Sequence, residues 1–98
     1  MTIDKKIDGN TLVAVINGRI DSSTSDEFSS FLDDNFKSEN DKITLDFSNV
    51  DFISSKGLRV LVSLYKSLSG RKMEIIGANA SVKDVLRLSG LLKVFDVK

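Results

Sequence analysis

The chain has 98 residues, 41% of them hydrophobic and 29% charged, a balance that fits a single soluble globular domain over residues 1–98 and argues against disorder. Fourteen Lys and Arg stand against fourteen Asp and Glu, so no global field exists to gather nucleic acid. The sequence holds no His and no Cys, which excludes thiol nucleophiles, His-based triads, phosphohistidine carriers, CxxC redox pairs, disulfide frameworks and the usual zinc sites.

In chain order, Thr2 to Lys6 alternates weakly and predicts an edge strand. Asp8-Gly9-Asn10 is a hairpin turn signal, and the apolar run Leu12 to Ile16 predicts a central strand closed by Gly18 to Asp21. Thr24-Ser25-Asp26-Glu27 has the spacing of a capping box. Phe28, Phe31, Leu32 and Phe36 follow as one apolar stripe, so a helix is predicted over residues 25–37, with a polar turn from Ser38 to Asp41. Ile43, Leu45 and Phe47 alternate with polar residues and predict a strand, and residues 48–52 read as a loop.

From Ser54 the period becomes helical, with Leu58, Leu61, Tyr65 and Leu68 on a shared face widened by Val60, Val62 and Leu64, and Gly70 as the expected stop. Met73 to Ile76 predicts a further strand. Ser81 to Asp84 offers a cap for a last helix carrying Val82, Val85, Leu86 and Leu88 and stopped by Gly90. Leu91 to Val97 is a short apolar tail, helix or strand. The order β-β-α-β-α-β-α predicts an α/β fold. Its mixed sheet of four to five strands has an N-terminal antiparallel hairpin followed by parallel strands, with helices mainly on one face.

No apolar run reaches membrane-spanning length, and the polar start from Met1 to Asp8 is unlike a signal peptide. A cytoplasmic, reducing location without membrane insertion is therefore expected. Asp46 and Asp51 near a strand end suggest a magnesium site only if a third ligand joins them, and their plainer reading is one strand residue and one turn residue. Asn79-Ala80-Ser81 matches a glycosylation sequon by coincidence in such a setting. No metal site and no cofactor are expected.

The informative segment runs from Asp46 to Leu61. Ser54 and Ser55 lie where a loop becomes a helix, and Gly57 follows within the first turn. The plain reading makes one serine a cap and Gly57 a close-packing residue. A functional reading uses the same geometry, because a helix N-terminus welcomes phosphate. A phosphorylated serine adds about −1.5 to −2 charge, tolerated here but costly against a partner packed on the same spot.

Asp46-Phe47-Ser48, then Phe52-Ile53, then Ser54-Ser55-Lys56-Gly57-Leu58, together with Asn17-Gly18-Arg19-Ile20-Asp21 upstream, resemble the STAS-domain anti-sigma-factor antagonists of bacteria. The resemblance covers nearly the whole chain and implies a non-catalytic switch. By it, the unphosphorylated protein binds an anti-sigma factor that is often an ATP-binding serine kinase of the GHKL type. The kinase releases it by phosphorylating a serine, and a PP2C-type phosphatase restores it. Carried over by position, Ser55 is the phosphoacceptor and Ser54 the alternative. Asp21, Ser54, Ser55, Lys56 and Gly57 are then the partner-binding residues, with Leu58 and Val60 assigned to the core.

Lys56 departs from the family, which usually has a small residue there. It offers a salt-bridge partner to the kinase or a counter-charge to phosphate on Ser55, and equally an obstacle to docking. The alternative from the same fold is a STAS scaffolding subunit of a transporter or signalling complex that needs no phosphorylation. A phospho-acceptor receiver domain fits poorly, since the acidic pair that should close its first strand is absent. A small enzyme lacks a nucleophile–base pair at readable spacing.

Overall fold

The computed structural model describes residues 1–37 and 39–98, so Ser38, at the start of the expected polar turn, lies outside the described residues. β1 (Thr2–Asp8) and β2 (Thr11–Ile20) form an antiparallel hairpin. Its two-residue turn places Gly9 at a φ of 62°, a left-handed conformation that suits glycine. β3 (Lys42–Ile53), β4 (Lys72–Ile76) and β5 (Asp96–Val97) each run parallel to the strand before them. The five strands lie in the sheet in chain order. Helices α1 (Ser25–Asn35), α2 (Ser55–Lys66) and α3 (Ala80–Leu88) connect the parallel strands, and a 3-10 turn (Leu91–Lys93) precedes β5. The mixed α/β architecture is the one expected, and the apolar tail supplies both a helical turn and a strand.

Register explains why one face is covered. Leu12, Ile43 and Met73 stand in one row across β2, β3 and β4, Ala14, Leu45 and Ile75 in the next, and all six are buried. Phe28 and Leu32 of α1, Leu61 and Leu64 of α2, and Val82 and Leu86 of α3 close over them. Each such side chain stabilises the fold by about 1.5–3 kcal/mol relative to exposure. Val13, Val15, Asp46, Glu74 and Ile76 alternate with these positions and are only half-buried, so the helices do lie mainly on one face. Among the described residues no helix is long and apolar enough to cross a membrane.

Several boundaries differ from the sequence expectation. β2 continues through Gly18 to Ile20, and β3 absorbs residues 48–52, which were expected to form a loop. The pairing of β2 with β3 shifts register between Val15 and Asn17 and again between Gly18 and Arg19. Bulges of this kind break the two-residue alternation and so hide the strand. α1 ends at Asn35 rather than at residue 37. α2 ends at Lys66, ahead of Gly70, because Ser69 already turns to a φ of 52° beside Gly70 at 88°. Its inward stripe is Gly57, Leu61, Leu64 and Leu68, with Tyr65 exposed. Asn79, not Ser81, caps α3 by accepting the Val82 amide at 2.8 Å.

Candidate functional site

Ser54 and Ser55 have different environments. The Ser54 amide donates to the Ile20 carbonyl at 2.8 Å, which fixes the end of β3 against the end of β2. Its backbone is extended, and its Oγ accepts the Gly57 amide at 3.2 Å. Ser54 is therefore the N-cap of α2. Ser55 is the first helical residue and is exposed. The amides of Ser55 and Lys56 fall among the first-turn donors that have no intrahelical acceptor. The helix thus presents an accessible hydroxyl beside a partly positive end.

Gly57, expected among the partner-binding residues, is buried instead. A Cβ built there would lie 2.7 Å from Ile20 Cγ2 and 2.9 Å from Ile53 Cγ1. The missing side chain lets the first turn of α2 sit directly on the two strand ends. Gly57 brings Ser54 and Ser55 close to the sheet.

Asp21 follows β2 and organises the loop before α1. Its Oδ1 accepts the Ser23 amide at 2.9 Å, the Ser23 hydroxyl at 2.7 Å and the Thr24 amide at 3.1 Å. The Ser23 hydroxyl first, with the two amides after it, holds the carboxyl at about 2. Its other oxygen lies 3.5 Å from Arg19 Nε. The carboxylate expected to meet a partner is thus committed to its own loop. The expected capping box is not formed either. Thr24 makes no side-chain cap, and its hydroxyl donates to the Arg19 carbonyl at 2.7 Å. Asp21 takes over part of the work by accepting the Ser25 amide on its carbonyl at 2.9 Å.

Lys56 bridges two elements. Its Nζ lies 3.3 Å from Asp26 Oδ1 in the first turn of α1 and 3.4 Å from the Ser22 carbonyl. Beside it, Ser54, Ser55, Phe52, Leu58 and Leu88 help to line an open groove of about 500 Å³. The Arg19 guanidinium stands 4.6 Å from the Phe52 ring centroid and braces that aromatic at the rim. Arg19, Ser22, Asp26 and Leu88 were not singled out from the sequence as site residues. Leu88 was assigned to the apolar stripe of α3, yet it is 79% exposed. A signal was available, because Leu88 falls off the helical arc shared by Val82, Val85 and Leu86.

Asp46 is occupied in a turn of its own, its Oδ1 accepting the Ser48 amide at 2.9 Å and the Ser48 hydroxyl at 2.6 Å. Asp51 is exposed on β3. Among the described residues no three carboxylates gather at a point that could hold a metal ion.

The sequence and the fold as a whole match known proteins. The STAS domain family model covers residues 2–98, and the chain belongs to the STAS-domain family of anti-sigma-factor antagonists. It is 31% identical over 99 residues to BtrV of Bordetella bronchiseptica, assigned as an anti-sigma factor antagonist, spanning 99% of this chain and 84% of that protein. A crystal structure of a protein from Thermotoga maritima with the same assignment superposes with a TM-score of 0.90 at 26% identity, covering 97% of this chain and 84% of that one. The fold is also that of the Bacillus cell fate determinant SpoIIAA in its phosphorylated form, with a TM-score of 0.75 at 15% identity over 99% of this chain and 91% of that one.

Proposed function

We propose that this protein is an anti-sigma-factor antagonist switched by phosphorylation of Ser55. In the unphosphorylated state it binds an anti-sigma factor, itself an ATP-dependent serine kinase of the GHKL type, through the surface around the start of α2. Phosphorylation by that kinase ends the association, and a PP2C-type phosphatase reverses it. The protein supplies no catalytic group, and a cytoplasmic location belongs to the same reading.

The observation that carries the proposal is the division of labour between the two serines. Ser54 spends its oxygen on the Gly57 amide, whereas Ser55 is exposed on the first turn, beside the groove. A phosphate on Ser55 sits near first-turn amides and the helix dipole, so the fold tolerates it. For a partner packed on the same spot, the added charge brings desolvation and repulsion. A penalty of about 4 kcal/mol would weaken association about a thousandfold. The assignment of relatives as anti-sigma factor antagonists supports the partner class.

Phosphosite mapping tests the proposal. Wild type, Ser55→Ala and Ser54→Ala are incubated with ATP and an active lysate of the native cells, and their peptides are mapped by mass spectrometry. Phosphate on Ser55 that disappears only in Ser55→Ala is the expected result. Phosphate on Ser54 would move the acceptor by one residue. No phosphate, with a control substrate modified in the same lysate, would favour a phosphorylation-independent scaffolding role.

A further inference from the structure

The formal neutrality of the chain conceals a segregation of charge. Residues 1–53 hold eleven Asp and Glu against five Lys and Arg, whereas residues 54–98 hold three against nine. Helix α2 carries Lys56, Arg59 and Lys66 and no carboxylate. Its two flanks differ. Val60 and Leu64 line the cleft toward α1, while Leu58 and Val62 look toward the 3-10 turn. There they join Leu91 as the apolar floor of a groove of about 440 Å³, rimmed by Arg59 and Lys66. No carboxylate lines this groove, and neither cation is ion-paired among the described residues. Leu58 is shared with the groove beside Ser55, so the apolar strip continues toward the exposed Leu88.

We propose that this groove is a second docking surface, built for an acidic amphipathic helix of a partner protein. Its apolar floor accepts side chains from one helical face, at the spacing that helix-in-groove recognition uses. Arg59 and Lys66 are seven residues apart, two turns on the same side of α2 and roughly 10 Å along its axis. They are placed to meet carboxylates two turns apart on the incoming helix, and the absence of a competing acid in the groove leaves both available. A nucleic acid suits the groove less well, because no aromatic residue lines it for base stacking. A lipid surface is flat on this scale and cannot follow the floor of a groove set between a helix and a turn. The inference goes beyond the Ser55 switch and does not depend on it.

The test uses the full ¹⁵N-labelled chain and a synthetic amphipathic helical peptide of about sixteen residues, with leucines on one face and glutamates flanking it. Amide shifts at Leu58, Val62, Ser63 and Leu91 are expected at millimolar peptide. Replacing the glutamates by lysines is expected to weaken binding at least roughly tenfold, as is the double substitution Arg59→Glu and Lys66→Glu. Circular dichroism would establish that this exposed variant keeps its fold. Absence of shifts, equal binding of both peptides, or shifts produced only by phosphatidylglycerol vesicles or duplex DNA would each overturn the proposal. No kinase or phosphate enters the measurement, so its failure is separable from failure of the Ser55 reading.

Discussion

Lys56 Nζ stands 3.3 Å from Asp26 Oδ1, tying the first turn of α2 to the first turn of α1 beside Ser55. The Asp26 side chain is 84% exposed. Such a pair contributes at most about 1 kcal/mol to stability. What matters beside Ser55 is the cation itself, not the pair or the stability it adds. Lys56→Ala is expected to slow phosphorylation of Ser55 while leaving the melting temperature nearly unchanged. Asp26→Asn removes the same pair but keeps the cation, and its phosphorylation rate should stay near wild type. A timed phosphorylation assay beside a thermal melt checks both, and a large fall in melting temperature for Lys56→Ala would assign it a structural role.

The two serines should separate in a denaturation experiment. Ser54→Ala leaves the Gly57 amide without its acceptor and is expected to cost about 1 kcal/mol, within the ordinary range for a lost N-cap. Ser55→Ala removes an exposed hydroxyl and should stay within about 0.5 kcal/mol of wild type. Urea unfolding of the two variants reads the difference directly. Equal losses would show that the hydroxyl of Ser55 also supports the helix.

Gly57→Ala places a methyl group 2.7 Å from Ile20 Cγ2, closer than packed atoms tolerate. The helix start must move or Ile20 must shift, at an expected cost of about 1–3 kcal/mol. Ile20→Ala alone should cost about 2–5 kcal/mol through the cavity it leaves. In the double variant the new methyl enters that cavity, so its loss should fall short of the sum of the single losses. A double-mutant cycle on unfolding free energies measures the coupling.

Two carboxyls set the acid side of the stability profile. Asp21 is held at about 2 against an ordinary 3.8, chiefly by the Ser23 hydroxyl. Glu74 is held at about 2 against 4.5, chiefly by Lys42, with Lys98 and Thr44 adding to it. Both are more acidic folded than unfolded, so below their ordinary values the unfolded chain binds more protons. Their contribution is complete above pH 4.5 and is lost as pH falls toward about 2. Lys98 has the opposite sign. Glu74 and then Asp96 raise it above 10.5, so its contribution is complete below that value and lost at higher pH. Urea midpoints across this range should fall at both ends, and Glu74→Gln should flatten both limbs.

The order of elements along the chain and the antiparallel hairpin were legible because Asp8-Gly9-Asn10 and the alternation after Lys42 carry plain local signals. The length of β3 was not. Its last residues pair with β2 through bulges; Asn49 is a poor strand former held there opposite Asn17, and Asp51 is left without a partner by the register shift. The cap of α1 was misassigned because a sequence spacing cannot say which way a hydroxyl turns, and that of Thr24 donates to the Arg19 carbonyl and accepts the Asp21 amide instead of the first amides of the helix. Asn79 was seen as part of a sequon, although its backbone and side chain together start α3. At the site, Ser54 and Ser55 were found from their spacing, but only the fold separates a cap from an accessible hydroxyl. Lys56 was noticed as unusual, and its partner Asp26 could be found only once α1 was placed beside α2.

The five strands stand in the sheet in the order in which the chain is made. No strand must be inserted between two that are already paired. From β2 onward each new pairing closes a loop of about one helix and its turns, so the entropy lost at each step stays modest. Neighbour-to-neighbour pairing also lowers the contact order, which favours rapid folding for a mixed α/β topology. The seat of Ser54 needs only β2, β3 and the first turn of α2. All the residues of that seat precede α3 in the chain, whereas the apolar strip beside it also needs Leu88 and Leu91, which are synthesised later.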